Sequence, residues 1–415
     1  MGLYVHIPFC KKKCNYCDFA SYAGKEELID GYVDALVREI TNSPHFNVGF
    51  PNQQKEIRPH NKLWGISTIF IGGGTPTLLE PRHFKKIMAS LPLSQRERGN
   101  EGVRAFETTA EANPGTANKA KLKELRKLGI NRLSIGAQSF NDKHLKTLGR
   151  IHEAKDIFRF YADARSAGFD NINLDLIFAL PGQTLDEWKK DLETAIDLAP
   201  DHLSTYNLQI EEGTVFWQVF NMLSSDTPKT RTFSQGEKVP SRDTLSLWER
   251  VRVLSGSGEG LNLPSEDAEL AMYEHTIETL TAAGFRHYEI SNFARPGFEC
   301  QHNINYWKNG NYIGIGAGAH SHVNGKRWAN PITIEEYLSD AKRSTPDDPH
   351  FATDQRETIF MGLRLLEGLP AEKFRGFENE VTELIASGLL ARVASHIKLT
   401  RKGLYLGNMV FEKFV

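Results

Sequence analysis

Three of the chain's four cysteines fall in one short run, Cys10-Lys-Lys-Lys-Cys14-Asn-Tyr-Cys17, and this C-x3-C-x2-C spacing constrains the fold more than any other feature. Three thiols this close cannot pair off as disulfides without leaving one over. They can converge on one face of an inorganic cluster. A [4Fe–4S] cube offers four irons, so three thiolates leave one iron with an open position. A structural zinc site or three unrelated thiols are the alternatives. Structural zinc takes four ligands, commonly in C-x2-C pairs, and no second pair follows; the fourth cysteine, Cys300, stands alone. Four cysteines, three of them clustered, suit a reducing compartment.

The first two thirds of the chain alternate β-branched runs with amphipathic stretches. Strands are expected at 3–7, 68–72, 105–110, 132–136, 171–178 and 203–208. Between them, 26–41 places Leu28, Ile29, Tyr32, Val33, Leu36, Val37 and Ile40 on one helical stripe. Helices at 117–128 and 153–167 end at Gly129 and Gly168, each a left-handed stop. Thr184-Leu-Asp-Glu187 is a capping box opening a helix that runs to Leu198. Such alternation implies parallel strands with helical crossovers. Six units predict an α/β fold, a partial (β/α)6 barrel, with its site at the C-terminal ends of the strands.

Polar stretches without periodicity interrupt this rhythm near 45–64, 92–104 and 225–262. The second contains Leu93-Ser-Gln-Arg-Glu-Arg98 and the third Leu245-Ser-Leu-Trp-Glu-Arg250. They read as low-complexity insertions forming mobile surface loops, with a lid as the alternative. The expected organisation is a core barrel over 1–224, the insertion over 225–262, a core extension over 263–345 and a C-terminal domain over 350–415. Ser265 caps a helix through Ala283, and a glycine-rich strand-loop follows at Tyr312-Ile-Gly-Ile-Gly-Ala-Gly-Ala-His320. A Pro- and Asp-rich linker at 344–349 precedes the last domain. That domain reads helix, helix, strand, strand, helix, a winged-helix-like α+β order. Winged helices often bind DNA, but a formal net charge of −2 gives no electrostatic footprint for nucleic acid. No apolar run is long enough to span a bilayer. The first strand begins at once, which leaves no room for a signal peptide, so the expected location is cytoplasmic, with peripheral membrane contact left open.

The cysteine spacing and its flanks resemble the radical S-adenosylmethionine (SAM) superfamily. Tyr4-Val-His6-Ile-Pro-Phe-Cys10 and Tyr16-Cys17-Asp18-Phe19 are similar to the branch holding oxygen-independent coproporphyrinogen III oxidase and its relative, the HemW-type heme chaperones. The resemblance implies a [4Fe–4S] cluster held by Cys10, Cys14 and Cys17, with SAM on the free iron, and a radical-SAM barrel. Gly72-Gly-Gly-Thr-Pro76 follows an apolar strand, where glycines let a backbone approach a ligand. It resembles the family motif that holds the SAM amino group, which implies contacts from Gly73, Gly74 and Thr75. Glu111, in Thr109-Ala-Glu-Ala-Asn-Pro114, can accept hydrogen bonds from ribose hydroxyls. From sequence alone a solvated acid is the plainer reading; the resemblance makes it a SAM contact. Gln138, Arg150 and Asp175 match cavity-lining motif positions as well. Asp175 in an apolar strand is costly to bury unpaired, and Arg150 is the expected partner. Tyr4 and Tyr16 match aromatics beside the cluster and the adenine, with core packing as the alternative for both.

Within this branch, the oxidase carries one more cysteine two residues beyond the third. Here that position is Phe19. The oxidase also extends before its first strand, and this chain does not. Both departures point to the chaperone side. The segment Cys300-Gln-His302-Asn303-Ile-Asn-Tyr306-Trp307 contains H-N-x-x-Y-W, similar to the family motif for heme contact. His is a common heme ligand, so His302 is the first candidate, with Cys300, Tyr306 and Trp307 around it and His320 and His322 behind. A hydrogen-bonded histidine with Tyr306 and Trp307 in the core is the structural alternative. The implied partners are heme, heme-acceptor proteins such as membrane respiratory enzymes, and an electron donor of the flavodoxin or ferredoxin kind, with no nucleic acid. The second functional reading is the oxidase itself, a SAM-dependent oxidative decarboxylase of porphyrin biosynthesis. A third is a winged-helix regulator that senses redox through a cluster. No catalytic residue is assigned, and whether the chain is an enzyme stays open at this stage.

Overall fold

The computed structural model describes residues 1–43, 65–91, 106–224, 263–339 and 354–415. The expected insertions at 45–64, 92–104 and 225–262, and the linker at 344–349, lie outside the described residues.

Six parallel strands form the centre: β1 Gly2–Ile7, β2 Thr68–Gly73, β3 Glu107–Ala112, β4 Arg132–Gln138, β5 Ile172–Phe178 and β6 His202–Asn207. They pair in chain order, so each expected strand lies beside its successor. Leu3 stands opposite Ile69, Ile69 opposite Thr108, Ala110 opposite Leu133, and Asn173 opposite His202. Alternate side chains of β1 divide the two faces. Leu3, Val5 and Ile7 are fully buried among helices, whereas His6 points to the polar interior with Thr68, Arg132, Ser134, Asn173 and His202.

Helices α1 Ile29–Asn42, α2 Pro81–Ser90, α3 Lys119–Lys127, α4 Ala154–Ser166, α5 Leu185–Asp197 and α6 Glu266–Ala282 cover the sheet's outer face. The α1 stripe buries Ile29, Tyr32, Val33, Leu36 and Ile40, each large apolar side chain contributing about 1.5–3 kcal/mol when fully removed from water. The Thr184 capping box forms as expected. Gly129 and Gly168 adopt φ of 98° and 92° just past α3 and α4, which only glycine does without cost. α5 and α6 lock through Trp188, whose Nε1 donates to Thr276 Oγ1 at 2.9 Å in the core.

Residues 263–339 do more than extend the core. β9 Tyr312–Ile315 lies parallel to β1, with Leu3 opposite Ile313. Two antiparallel strands, β10 His320–Val323 and β11 Lys326–Ala329, continue that edge. β7 Arg286–Glu289 and β8 Asn292–Ala294 cover β6 at the other edge. The result is one eleven-stranded sheet in which both sides of the six-stranded centre are paired, leaving no exposed central strand to recruit another chain.

The C-terminal unit has its own core, including Ile359, Phe374, Val381, Leu390, Ile397 and Phe414. Helices Asp354–Gly362 and Glu378–Ala386 precede the hairpin β13 Leu390–Val393 and β14 His396–Leu399, which also pairs with β12 Leu369–Pro370. This is the expected helix–helix–strand–strand order, closed by the helix Arg401–Tyr405. The unit docks on the sheet edge through Leu366 N donating to Tyr288 O at 3.1 Å, and on α6 through Tyr405 Oη donating to Glu274 Oε1 at 3.0 Å.

Candidate functional site

The C-terminal ends of the barrel strands surround a cavity of about 370 Å³. Its lining includes Cys10, Cys14, Cys17, Tyr16, Gly73, Gly74, Glu111, Gln138, Arg150 and Asp175. Ten of the twelve residues expected around cluster and SAM therefore meet in one place. Tyr4 and Thr75 stand behind its wall. Tyr4 Oη pairs with His6 Nδ1 at 2.9 Å and its ring stacks on Phe70. Thr75 Oγ1 lies 3.6 Å from Cys10 Sγ and accepts from Asn113 Nδ2 at 2.8 Å.

The cysteine loop is held at both ends and in its middle. A short parallel bridge joins Phe9 and Cys10 to Tyr22 and Ala23, supported by Tyr22 N donating to Pro8 O at 2.7 Å. Asn15 anchors the middle: its N donates to Leu148 O at 3.0 Å, its Nδ2 to Thr147 O at 2.8 Å, and its carbonyl accepts from Phe216 N at 2.9 Å. Backing hydroxyls meet the sulfurs, Thr75 at Cys10 and Ser21 Oγ at 3.9 Å from Cys17 Sγ. Burial pushes the free thiols of Cys10 and Cys17 up, so thiolate character there needs a cation. Among the described residues, no three His, Cys, Asp or Glu side chains converge on a point that one ion could occupy. All three cysteines line the one cavity, an arrangement that suits a cluster offering each thiolate its own iron.

Opposite the sulfurs, β2 and β3 build a backbone cradle. Gly73 N donates to Glu111 Oε2 at 2.9 Å. A Cβ on Gly73 would sit 2.5 Å from the His6 ring, and one on Gly74 would sit 2.6 Å from Phe9 O. Only glycine admits the chain here. Gln138 takes φ of 69° at a bulge between β4 and β5, and its buried Oε1 has no hydrogen-bond partner. An orphaned buried carbonyl at a cavity wall is a ready acceptor for a ligand.

Two carboxylates complete the wall. Asp175 accepts from Asn173 Nδ2 at 2.8 Å and Ser134 Oγ at 3.0 Å. Its expected partner Arg150 is elsewhere: the guanidinium bonds Gly136 O at 2.7 Å and Asn113 Oδ1, and approaches Cys14 Sγ and Tyr16 Oη at 3.5 Å each. Neutral amide and hydroxyl donors thus satisfy Asp175 where a cation was expected. Burial, and then the neighbouring Asp175 charge, push the Glu111 carboxyl up to about 8; burial raises Asp175 too. Two acids that resist ionisation beside each other favour a cationic ligand between them. SAM, with a sulfonium and an ammonium group, is such a ligand.

Sequence reasoning missed Asn113, which links Arg150 to Thr75, and Tyr206 and Asn207 at the end of β6 on the cavity wall. Asn113 stood inside the quoted Glu111 segment, and its position beside the third strand's end was the available signal. Tyr206 is an aromatic exposed at the end of an otherwise buried strand.

The H-N-x-x-Y-W segment lies at the other end of the strands. Helix α7 Gln301–Trp307 packs under the starts of β2 and β3. Glu107, the first residue of β3, accepts from Gln301 N and His302 N, both at 3.0 Å, and from Cys300 Sγ at 3.5 Å. His302 is buried with both ring nitrogens engaged, Nδ1 to Thr68 Oγ1 and Nε2 to Tyr306 Oη, each at 2.9 Å. Burial, and then the charge of Arg132, push His302 down to about 3, so the ring is neutral. Tyr306 is edge-on to His302, and Trp307 lies under the guanidinium of Arg364 at 4.4 Å. His322 pairs with Gly310 O at 3.3 Å, and His320 is exposed. None of these candidates lines the cysteine cavity. Phe19 does, 63% exposed at the mouth, and the fourth thiol, Cys300, is buried at the far end.

Comparison with known proteins matches the radical SAM superfamily over residues 4–195 and the HemN C-terminal domain over 353–406. The chain is 35% identical to the heme chaperone HemW of Bacillus subtilis, covering 99% of this chain and 98% of that one. It is 34% identical to the heme chaperone HemW of Escherichia coli, covering 100% and 98%. Among solved structures, coproporphyrinogen III oxidase (HemN) from Escherichia coli, a radical SAM enzyme, superposes with a TM-score of 0.69. That match is 24% identical and covers 100% of this chain and 89% of that one, a likeness of fold.

Proposed function

The chain belongs to the HemW family of the radical SAM superfamily, and from that premise we propose that it is a heme chaperone. It binds heme, one [4Fe–4S] cluster and SAM, and passes heme to acceptor proteins. Membrane respiratory enzymes are the acceptors we propose, with a flavodoxin- or ferredoxin-type protein as electron donor and the cytoplasm, up to the membrane surface, as its location. Among the described residues, no helix is long and apolar enough to cross a membrane.

The residues present fit the cofactors. Cys10, Cys14 and Cys17 would hold three irons. Gly73, Gly74, Glu111, Gln138 and Asp175 would receive SAM, with Tyr16 beside the adenine and Arg150 between ligand and cluster. Tyr4 and Thr75 would act from behind the wall, Thr75 through the Cys10 sulfur. When bound and reduced, the cluster supplies one electron to the sulfonium of SAM. For heme we propose contact through the helix Gln301–Trp307, with His302 as iron ligand and Cys300, Tyr306 and Trp307 around it. Ligation through His302 Nε2 requires Tyr306 Oη to give up its 2.9 Å bond, so heme entry has to reorganise this helix.

The observation that carries the chaperone reading against the oxidase is Phe19. The position of the oxidase's additional thiol is filled by an exposed aromatic ring, and no described thiol beyond the triad reaches the cavity. Anaerobically reconstituted protein titrated with heme should show saturable, stoichiometric growth of a Soret band. The same protein supplied with SAM, a reductant and coproporphyrinogen III should yield no protoporphyrinogen IX. Turnover of that substrate would reverse the assignment.

A further inference from the structure

Between the first two cluster thiols stand Lys11, Lys12 and Lys13, all exposed, in a chain whose formal net charge is −2. Among the described residues, none of the three ammonium groups has a carboxylate partner; Lys13 Nζ donates to a backbone carbonyl, Phe19 O, at 3.1 Å. This contact ties Lys13 to the backbone of Phe19, whose side chain is exposed. Lys11 and Lys12 share a shallow depression with Ile151, which is 50% exposed, and with Cys14 and Arg150 at its floor. The face thus combines three unneutralised cations with two exposed apolar side chains, directly above thiols that are only partly buried.

A redox group held by those thiols needs electrons from outside, and tunnelling falls off exponentially with distance. The cysteine loop leaves its three thiols only partly buried, so a donor seated on it comes close to the site. Cations without internal partners, ringed round small apolar contacts, favour an acidic partner in a brief, steered encounter. We propose that Lys11, Lys12 and Lys13, with Phe19 and Ile151, form the docking face for an acidic one-electron carrier protein. The proposal rests on the cluster reading above. The electron count is simple: an anionic flavin hydroquinone loses one electron to become the neutral semiquinone, the cluster passes from its 2+ to its 1+ state, and no proton moves.

The test uses the full chain and an oxidised, net-negative flavodoxin, with affinity read by biolayer interferometry at low and at moderate salt. Oxidised carrier binds without needing a reducible cluster, so a failure of cluster assembly, read separately from iron content, is distinguishable from a failure of docking. Losing three exposed ion pairs should raise Kd roughly tenfold or more at low salt in a Lys11→Gln, Lys12→Gln, Lys13→Gln variant. The wild-type affinity should also fall with salt while the variant's hardly changes. A single Ile151→Ser change should weaken binding with the salt dependence intact. Equal affinity for wild type and triple variant would overturn the proposal and leave the lysines to balance the charge of the site below. Retention on phosphatidylglycerol vesicles without flavodoxin binding would overturn it equally, assigning the face to a membrane surface.

Discussion

The guanidinium of Arg150 lies 3.5 Å from the sulfur of Cys14 while its other nitrogen bonds the carbonyl of Gly136 at 2.7 Å. A fixed positive charge at a ligand sulfur favours the reduced, more negative state of a cluster. Arg150→Met should therefore lower the midpoint potential by roughly 30–60 mV, since 59 mV corresponds to about 1.4 kcal/mol for one electron. Redox titration followed by electron paramagnetic resonance reads this directly. An unchanged potential at full iron content would remove Arg150 from any role at the cluster.

The cradle gives a second prediction. At Gly73 a methyl group meets both a φ of 110° and the His6 ring at 2.5 Å. Strain of about 1–3 kcal/mol for the dihedral adds to about 1–3 kcal/mol for overpacking. Gly73→Ala should lower Tm by several degrees and weaken SAM binding in equilibrium dialysis. Gly182→Ala, where no atom approaches within 4 Å although φ is 67°, should carry the dihedral strain alone and leave SAM affinity intact. Similar SAM affinity in both variants would mean that the cradle does not touch SAM.

Glu111 predicts a pH dependence. Its carboxyl titrates near 8 in the folded chain against an ordinary value of 4.5. The folded state therefore holds more protons than the unfolded state between those values, and stability falls as pH rises from about 4.5 through about 8. Glu111→Gln should lose less Tm than wild type between pH 5 and pH 8.5 without SAM. Saturating SAM should shrink the wild-type slope, because a cation beside Glu111 and Asp175 favours their ionised forms. Parallel Tm profiles for the two proteins would place the Glu111 titration outside this range.

Much of this site was legible because its determinants are local. The Cys10–Cys17 spacing, the Gly72–Pro76 turn and the strand ends carrying Glu111 and Gln138 are each fixed within a few residues, and parallel β/α order brings strand ends together without further information. What escaped was long-range. Nothing near Tyr312 says that it will lie opposite Gly2, because a short apolar run pairs with any edge of suitable length. Arg150 was matched to Asp175 on charge alone, yet Ser134 on the neighbouring strand β4 and Asn173, two residues earlier on β5 itself, satisfy that acid first. The side of the barrel on which H-N-x-x-Y-W falls was equally invisible, since Glu107 meets the start of its helix across almost two hundred residues of sequence.

His302 separates the structural from the heme-binding role of that helix. The neutral ring titrates near 3 against an ordinary value of 6.5. The unfolded chain therefore binds the extra proton first, and the stability this histidine contributes is present above pH 6.5 and lost as pH falls toward 3. His302→Gln should be less stable than wild type at pH 7 by about 1–3 kcal/mol, because Thr68 and Tyr306 lose a buried partner, yet it should lose less further stability between pH 7 and pH 4. Chemical denaturation across that range measures both effects. Heme adds an independent readout. With His302 as the iron ligand, the variant loses the imidazole signature of the Soret band and heme affinity falls at least tenfold, while iron content at Cys10, Cys14 and Cys17, on the far side of the barrel, stays unchanged. Heme bound by the variant with wild-type affinity and spectrum would move the heme away from this helix, and the cysteine cavity beside Phe19 would be the next place to look.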